Sequence, residues 1–210
     1  TGCTLIPQGG CAANEACDLD PDRLPAAATY CRPVLAAGGD GSHCLTAKEC
    51  LPGFTCLGNA TTGACVRYCN DHESCVAPGG VCTGVVTTGS GSGTVPGIST
   101  CTANCDPLAS AGCPSDWGCH FDYEASLLRY HTMCLPAGPF GYAAPCGTLD
   151  ACQRGMSCVL LTGSDGSSES VCLKHCNFGN KTGCGALPDA SCSPLSPPAT
   201  VGIVEYGVCI

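Results

Sequence analysis

The chain has 210 residues, among them 24 Cys, 29 Gly and 16 Pro, but one Trp, six Tyr and four Phe. Eight Lys and Arg face 17 Asp and Glu for a net charge of −9, and the basic residues are scattered, which excludes an electrostatic footprint for nucleic acid. No segment approaches the ~20 apolar residues that span a bilayer, so no membrane span is expected.

Cysteine at this density in an even count reads as a disulfide scaffold made in an oxidising compartment. The chain is expected to be secreted, at a cell surface or extracellular. No signal peptide is visible, which reads as a chain beginning after processing or truncation. Only 12 % of residues are charged, so the surface must be largely Ser, Thr, Gly, Ala and Asn. Such a surface suits glycans or packing against copies of itself.

The cysteine spacing is one pattern written twice. From Cys3 to Cys101 the gaps are 7, 5, 13, 12, 5, 5, 8, 3, 5, 6 and 18; from Cys105 to Cys209 they are 7, 5, 14, 11, 5, 5, 13, 3, 7, 7 and 16. The reading is a tandem duplication, with a first repeat over 1–104 and a second over 105–210. Each repeat divides into three four-cysteine units, at 3–31, 44–65 and 69–101, then 105–134, 146–172 and 176–209. The expected fold class is small, disulfide-rich and all-β: an elongated array of six β-hairpin modules, each unit touching mainly its neighbours.

In chain order, a loop at Arg32–His43 separates the first unit from the second. Gly53, before Thr55-Cys56, occupies the place of Gly155 before Ser157-Cys158, where a tight turn favours glycine. Turn-rich residues at Leu57–Ala64 predict a hairpin between Cys56 and Cys65. In the third unit the hairpin tip is Thr87–Thr94, a Gly/Ser/Thr stretch expected to be flexible. Between Cys119 and Cys134 a symmetric hairpin sets Asp122 opposite His131, Tyr123 opposite Tyr130 and Glu124 opposite Arg129, pairs that cross-strand contacts favour. After the loop Leu135–Pro145, Val159-Leu160-Leu161 leads into the turn residues Gly163-Ser164-Asp165-Gly166, again a hairpin. Val66-Arg67-Tyr68 corresponds to Leu173-Lys174-His175, Pro33 to Pro136 and Asn70 to Asn177.

Four cysteines allow three pairings. First to third and second to fourth is favoured, because the third and fourth end the hairpin strands and the first two lie in a loop that folds back. That gives Cys3–Cys17, Cys11–Cys31, Cys44–Cys56, Cys50–Cys65, Cys69–Cys82 and Cys75–Cys101. The second repeat gives Cys105–Cys119, Cys113–Cys134, Cys146–Cys158, Cys152–Cys172, Cys176–Cys192 and Cys184–Cys209. Each bridge is expected to close a loop of about 14 residues or more, worth about 3 kcal/mol on chain-entropy grounds.

Other chemistry finds little support. There is no C-x2-C or C-x-C pair for zinc and no C-x-x-C-H for haem, so neither metal nor cofactor is expected. A small metal site at His120, Asp122 and His131 is outweighed by a cross-strand Asp–His hydrogen bond. His72-Glu73 opens an H-E-x-x-H string, but Val76 stands where its second His should be. The Gly/Ser run at 89–93 matches neither G-x-S-x-G nor G-x-G-x-x-G, and no enzyme is expected. Two sequons, at Asn59 and Asn180, are candidate N-glycosylation sites; Thr87, Thr88, Ser90, Ser92 and Thr94 are O-linked candidates by composition. Thr1-Gly2-Cys3 resembles the end of a lipobox, yet Cys3 has a repeat counterpart in Cys105, which favours a disulfide.

Ile210 after Cys209 and Thr1-Gly2 before Cys3 would give a three-residue gap if laid tail to head, like Cys101 to Cys105, Cys65 to Cys69 and Cys172 to Cys176. One reading is a period of a longer array or a head-to-tail polymer. The other is a stable chain bounded near its terminal cysteines.

The unit Cys44-Leu-Thr-Ala-Lys-Glu-Cys50-Leu-Pro-Gly53-Phe-Thr-Cys56 resembles the cysteine-rich repeats of secreted bacterial surface proteins, and more loosely EGF-like and Dickkopf-type modules. The resemblance implies extracellular spacers, adhesins and matrix or filament components. The calcium signature of EGF-like modules is absent, so no ligand residues carry over. The expected function is therefore an extracellular structural protein of a surface or matrix, a stapled rod that self-associates head to tail into filaments. One alternative is an adhesion module whose hairpin tips, especially 120–133 and 83–100, recognise a protein or glycan. Another is a disulfide-rich protease inhibitor.

Overall fold

A computed structural model describes residues 2–20, 23, 28–58, 61–87, 94–163, 165–185, 187 and 189–210. The chain divides into two compact units, Thr1–Ala103 and Asn104–Ile210. The fold is all-β; helical turns among the described residues are short 3-10 segments such as Ala47–Glu49, His72–Ser74 and Leu149–Ala151.

In the first unit the strands are β1 (Glu15–Leu19), β2 (Thr29–Pro33), β3 (His43–Cys44), β4 (Phe54–Gly58), β5 (Gly63–Cys69), β6 (Cys82–Thr87) and β7 (Thr94–Cys101). β1 and β2 form a separate antiparallel hairpin, while β3, β5, β7 and β6 form a sheet in that order with β4 also on β5. The second unit repeats the plan with β8 (Trp117–Glu124), β9 (Arg129–Pro136), β10 (Met156–Thr162), β11 (Ser168–Asn177), β12 (Cys192–Val201) and β13 (Val204–Cys209). Here β8–β9 is the separate hairpin and the sheet order is β10-β11-β13-β12.

Each hairpin sets two cysteines directly opposite each other: Cys17 and Cys31, Cys56 and Cys65, Cys82 and Cys101 in one unit, Cys119 and Cys134, Cys158 and Cys172, Cys192 and Cys209 in the other. Opposed residues of an antiparallel pair project to one face. These pairs are nevertheless not bonded to each other. Each bonds back to the preceding loop, first cysteine to third and second to fourth in every module. The two bridges of a module thus lie side by side, clamping the loop onto one face of its hairpin. Sequence separations run from 12, at Cys44–Cys56 and Cys146–Cys158, to 26 at Cys75–Cys101. The shortest loops fall below the expected length because only five residues separate successive cysteines there.

The three-residue gaps are not equivalent. Cys65 and Cys69 lie in the single strand β5, whose early residues pair with β4 and whose Tyr68 and Cys69 pair with Thr100 and Ser99 of β7. β11 does the same, pairing with β10 and then, from His175 to Asn177, with β13. Three intervening residues put both cysteines on one face of an extended strand, so the second and third modules of each unit share a strand. By contrast β7 ends at Cys101, and the Cys101–Cys105 gap is not a strand of this kind. The connectors after β2 and β9 are docked: Leu35 and Gly38 donate to the carbonyls of Lys48 and Glu49, and Gly138 and Phe140 to those of Cys152 and Ala151.

Gly53 and Gly155 have φ of +85° and +75°, the left-handed region that disfavours a side chain. The hairpin of β8 and β9 has the register Asp122–His131, Tyr123–Tyr130 and Glu124–Arg129, with the two tyrosine rings 5.2 Å apart. The apolar core is divided into small clusters. One gathers Leu5, Leu19, Tyr68, Val86 and Val95; another Phe121, Ala199, Val201 and Tyr206; a third Val171, Leu173 and Val208. Disulfides themselves form the remaining clusters, as around Cys44, Cys50, Cys65 and Phe54.

Candidate functional site

Polar side chains lie buried where the separate hairpin of each unit meets its sheet. In the first unit Arg32 is wholly buried. Its Nε donates to Asp18 Oδ2 at 2.6 Å, and its two Nη atoms donate to the carbonyls of Cys50 at 3.1 Å and Phe54 at 2.7 Å. The Tyr68 hydroxyl donates to Asp18 Oδ1, which also accepts from the Leu19 amide. Burial, and then the negative charge of Asp18, push the Tyr68 phenol far above its ordinary value, so it stays a donor. A buried ion pair persists only when its remaining donors and acceptors are satisfied, as the two carbonyls and the phenol do here. The network ties module one, through Asp18 and Arg32, to module two.

The second unit carries different chemistry at matching places. His120 follows Cys119 as Asp18 follows Cys17; His175 precedes Cys176 as Tyr68 precedes Cys69; Ser157 precedes Cys158 as Thr55 precedes Cys56. Leu135 stands in the place of Arg32. His175 Nδ1 lies 3.0 Å from the Pro107 carbonyl and Nε2 lies 2.8 Å from Ser157 Oγ. A carbonyl only accepts, which assigns the proton to Nδ1; Nε2 then accepts from the Ser157 hydroxyl. Burial lowers the His175 pKa to about 4, with a further push from His120, against the Pro107 hydrogen bond. The Phe121 ring packs edge-on at 4.9 Å from the His175 ring and, tilted, at 5.0 Å from the Tyr206 ring.

His120 and His131 are buried too. Burial lowers both below the usual imidazole value, against Asp150 for His120 and against Asp122 and Glu124 for His131. The ring of His120 folds back along β8, its Nε2 2.7 Å from where a Cβ on Gly118 would sit, on the side away from Asp122. His120, Asp122 and His131 therefore do not converge on a metal position. Asp122 and His131 face each other at 4.0 Å, too long for the cross-strand hydrogen bond expected from sequence; Asp122 stays half exposed while the imidazole is drawn inward. Sulfur atoms cluster within 4.8 Å, as at Cys44, Cys50 and Cys65, because paired disulfides adjoin. No cysteine is free, so no thiolate is presented to a metal.

The other sequence candidates fall as follows. Cys3 is bonded to Cys17. His72 sits in a 3-10 turn capped by Asp71 and accepts at Nδ1 from the Cys82 amide, a loop-bracing role. Asn180 lies exposed in a turn, its Oδ1 accepting from Thr182 Oγ1 at 2.6 Å. Asn59, Thr88, Ser90 and Ser92 lie outside the described residues, and Thr87 and Thr94 end the flanking strands.

Each unit has a cleft over its polar node. In the first it measures about 300 Å³ and is lined by Asp18, Lys48, Thr55 and Tyr68 among others. In the second it measures about 560 Å³, with Ser157 among mainly apolar residues such as Phe121, Val159, Leu161 and Leu195. Sequence reasoning missed both nodes. The available signal was a polar residue beside a cysteine at the same place in both repeats. No protein-family model, curated protein or solved structure matches the chain.

Proposed function

We propose that the chain is an extracellular structural protein, a stapled component of a surface or matrix whose copies associate end to end. The observation that carries this reading is the use of covalent and buried polar groups. Every cysteine closes a hairpin, and Arg32, Asp18, Tyr68, His175 and Ser157 are spent joining one module to the next. Twelve disulfides belong to an oxidising compartment. No helix among the described residues is long and apolar enough to cross a membrane. The sparse charge supports self-packing, since charged residues are depleted at the cores of protein interfaces. The resemblance of the Cys44–Cys56 unit to secreted bacterial surface repeats points the same way. Electron microscopy of the oxidised protein over a concentration series tests assembly. Fibres that lengthen with concentration support the proposal, and a strictly monomeric species at millimolar concentration overturns it.

A second reading, adhesion through hairpin tips, is favoured by Leu128 and Ile203. Both are large apolar residues at the turns of β8–β9 and β12–β13, 79 % and 101 % exposed. Substituting both with Ser while keeping all disulfides would abolish partner capture under this reading and leave fibre formation unchanged.

A further inference from the structure

The cleft of the second unit differs from its counterpart in a direction that assigns it a ligand chemistry. Its volume of about 560 Å³ lies within the roughly 300–1,000 Å³ of small-molecule sites. Along β10 the residues Ser157, Val159 and Leu161 share one face, as alternate strand positions must, and Phe121, Leu195 and Val208 complete the apolar wall. The first unit instead sets Asp18 and Lys48 on a cleft about half as large. Duplication of one polar node has thus yielded a charged, tighter cleft in one unit and a neutral, roomier one in the other.

Hydrogen-bond direction fixes what the roomier cleft can recognise. The Pro107 carbonyl holds the proton on His175 Nδ1, so Nε2 takes the proton of the Ser157 hydroxyl. Ser157 Oγ then has only lone pairs left for a further partner. An apolar molecule carrying a donor satisfies it; an equally apolar molecule without one leaves it unmet. We propose that this cleft binds a small, largely apolar alcohol or phenol, its O–H donated to Ser157 Oγ and its body against Phe121, Val159, Leu161 and Leu195. This goes beyond the structural role above and does not depend on it.

The test uses the oxidised full chain and two probes of nearly equal shape, 2-naphthol and 2-methoxynaphthalene, titrated by calorimetry. The wild type is expected to bind 2-naphthol saturably, one per chain, about tenfold tighter than the ether, as one hydrogen bond supplies. Ser157→Ala should bring the two affinities together, and Ser157→Thr, which restores the first unit's residue type, should keep them apart. Leu161→Trp should abolish binding of both, with Leu195→Trp as the second filling variant and twelve intact disulfides by mass as the folding control. Equal wild-type affinities, or no saturable binding, overturn the proposal. So does a self-association that Leu161→Trp abolishes and 2-naphthol fails to displace, because the cleft would then be an interface between copies.

Discussion

Lowering the pH from 7.5 to 4 should loosen the second unit and spare the first. His175 is wholly enclosed, and its pKa falls from 6.5 to about 4 chiefly through burial. The unfolded chain takes a proton at this residue near pH 6.5, while the folded chain refuses it until about 4. A depressed histidine therefore contributes stability that is complete above pH 6.5 and is lost as pH falls toward 4. The separation corresponds to about 3 kcal/mol at full loss. His120 and His131 are shifted the same way and add to it. The groups facing the three imidazoles are Asp106, Asp122, Arg129, Glu124 and Asp150. In the first unit Asp18 and Tyr68 stand at the matching positions, so no buried imidazole sits at that node. Amide hydrogen exchange at pH 7.5, 5.5 and 4 reads the two units separately, and the His175 ring proton followed by NMR gives its titration directly. A midpoint at 6.5 or above, or equal loss of protection in both units, would refute the reasoning.

Three further outcomes are expected. Arg32→Met leaves Asp18 buried without its cation and should cost about 3–5 kcal/mol in chemical denaturation of the oxidised protein, whereas the double variant Asp18→Asn with Arg32→Met should recover most of it. Replacing Cys113 and Cys134 by Ser opens a loop of sequence separation 21 and should lower stability by about 3 kcal/mol; thermal melting shows whether the loss is confined to residues 104–210. Gly53→Ala places a side chain at φ +85° and should cost about 1–2 kcal/mol, read as a lower denaturation midpoint with an unchanged slope.

The hairpin ladders were legible because cysteine spacing anchors both ends of each, so Tyr123 had to meet Tyr130 once Cys119 faced Cys134. The shared strands were hidden, because a three-residue gap looks alike whether it spans one strand or joins two elements. The nodes were hidden for a different reason. Arg32 reads as one scattered surface cation, yet its partners Asp18, Cys50 and Phe54 come from three segments. His175 reaches Pro107 across 68 positions. Only the repeat alignment, which sets Tyr68 against His175, hinted that these places are special.

The interleaved bridges have a mechanical consequence. Pulling on a module's ends loads its two sulfur–sulfur bridges and the short segment between its second and third cysteines rather than the full length of its hairpin, because the two bridged loops overlap in sequence. Slack remains only between modules, at 32–43, 66–68, 102–104, 135–145 and 173–175. Residues 66–68 and 173–175 are gripped within β5 and β11 by neighbours on either side. The two long connectors, 12 and 11 residues, each span about 40 Å when drawn straight. Their amides must first be peeled from Lys48 and Glu49, or from Ala151 and Cys152. Under load the chain would act as a nearly inextensible tether with two reversible slips, and a reductant would turn it into a long, compliant one.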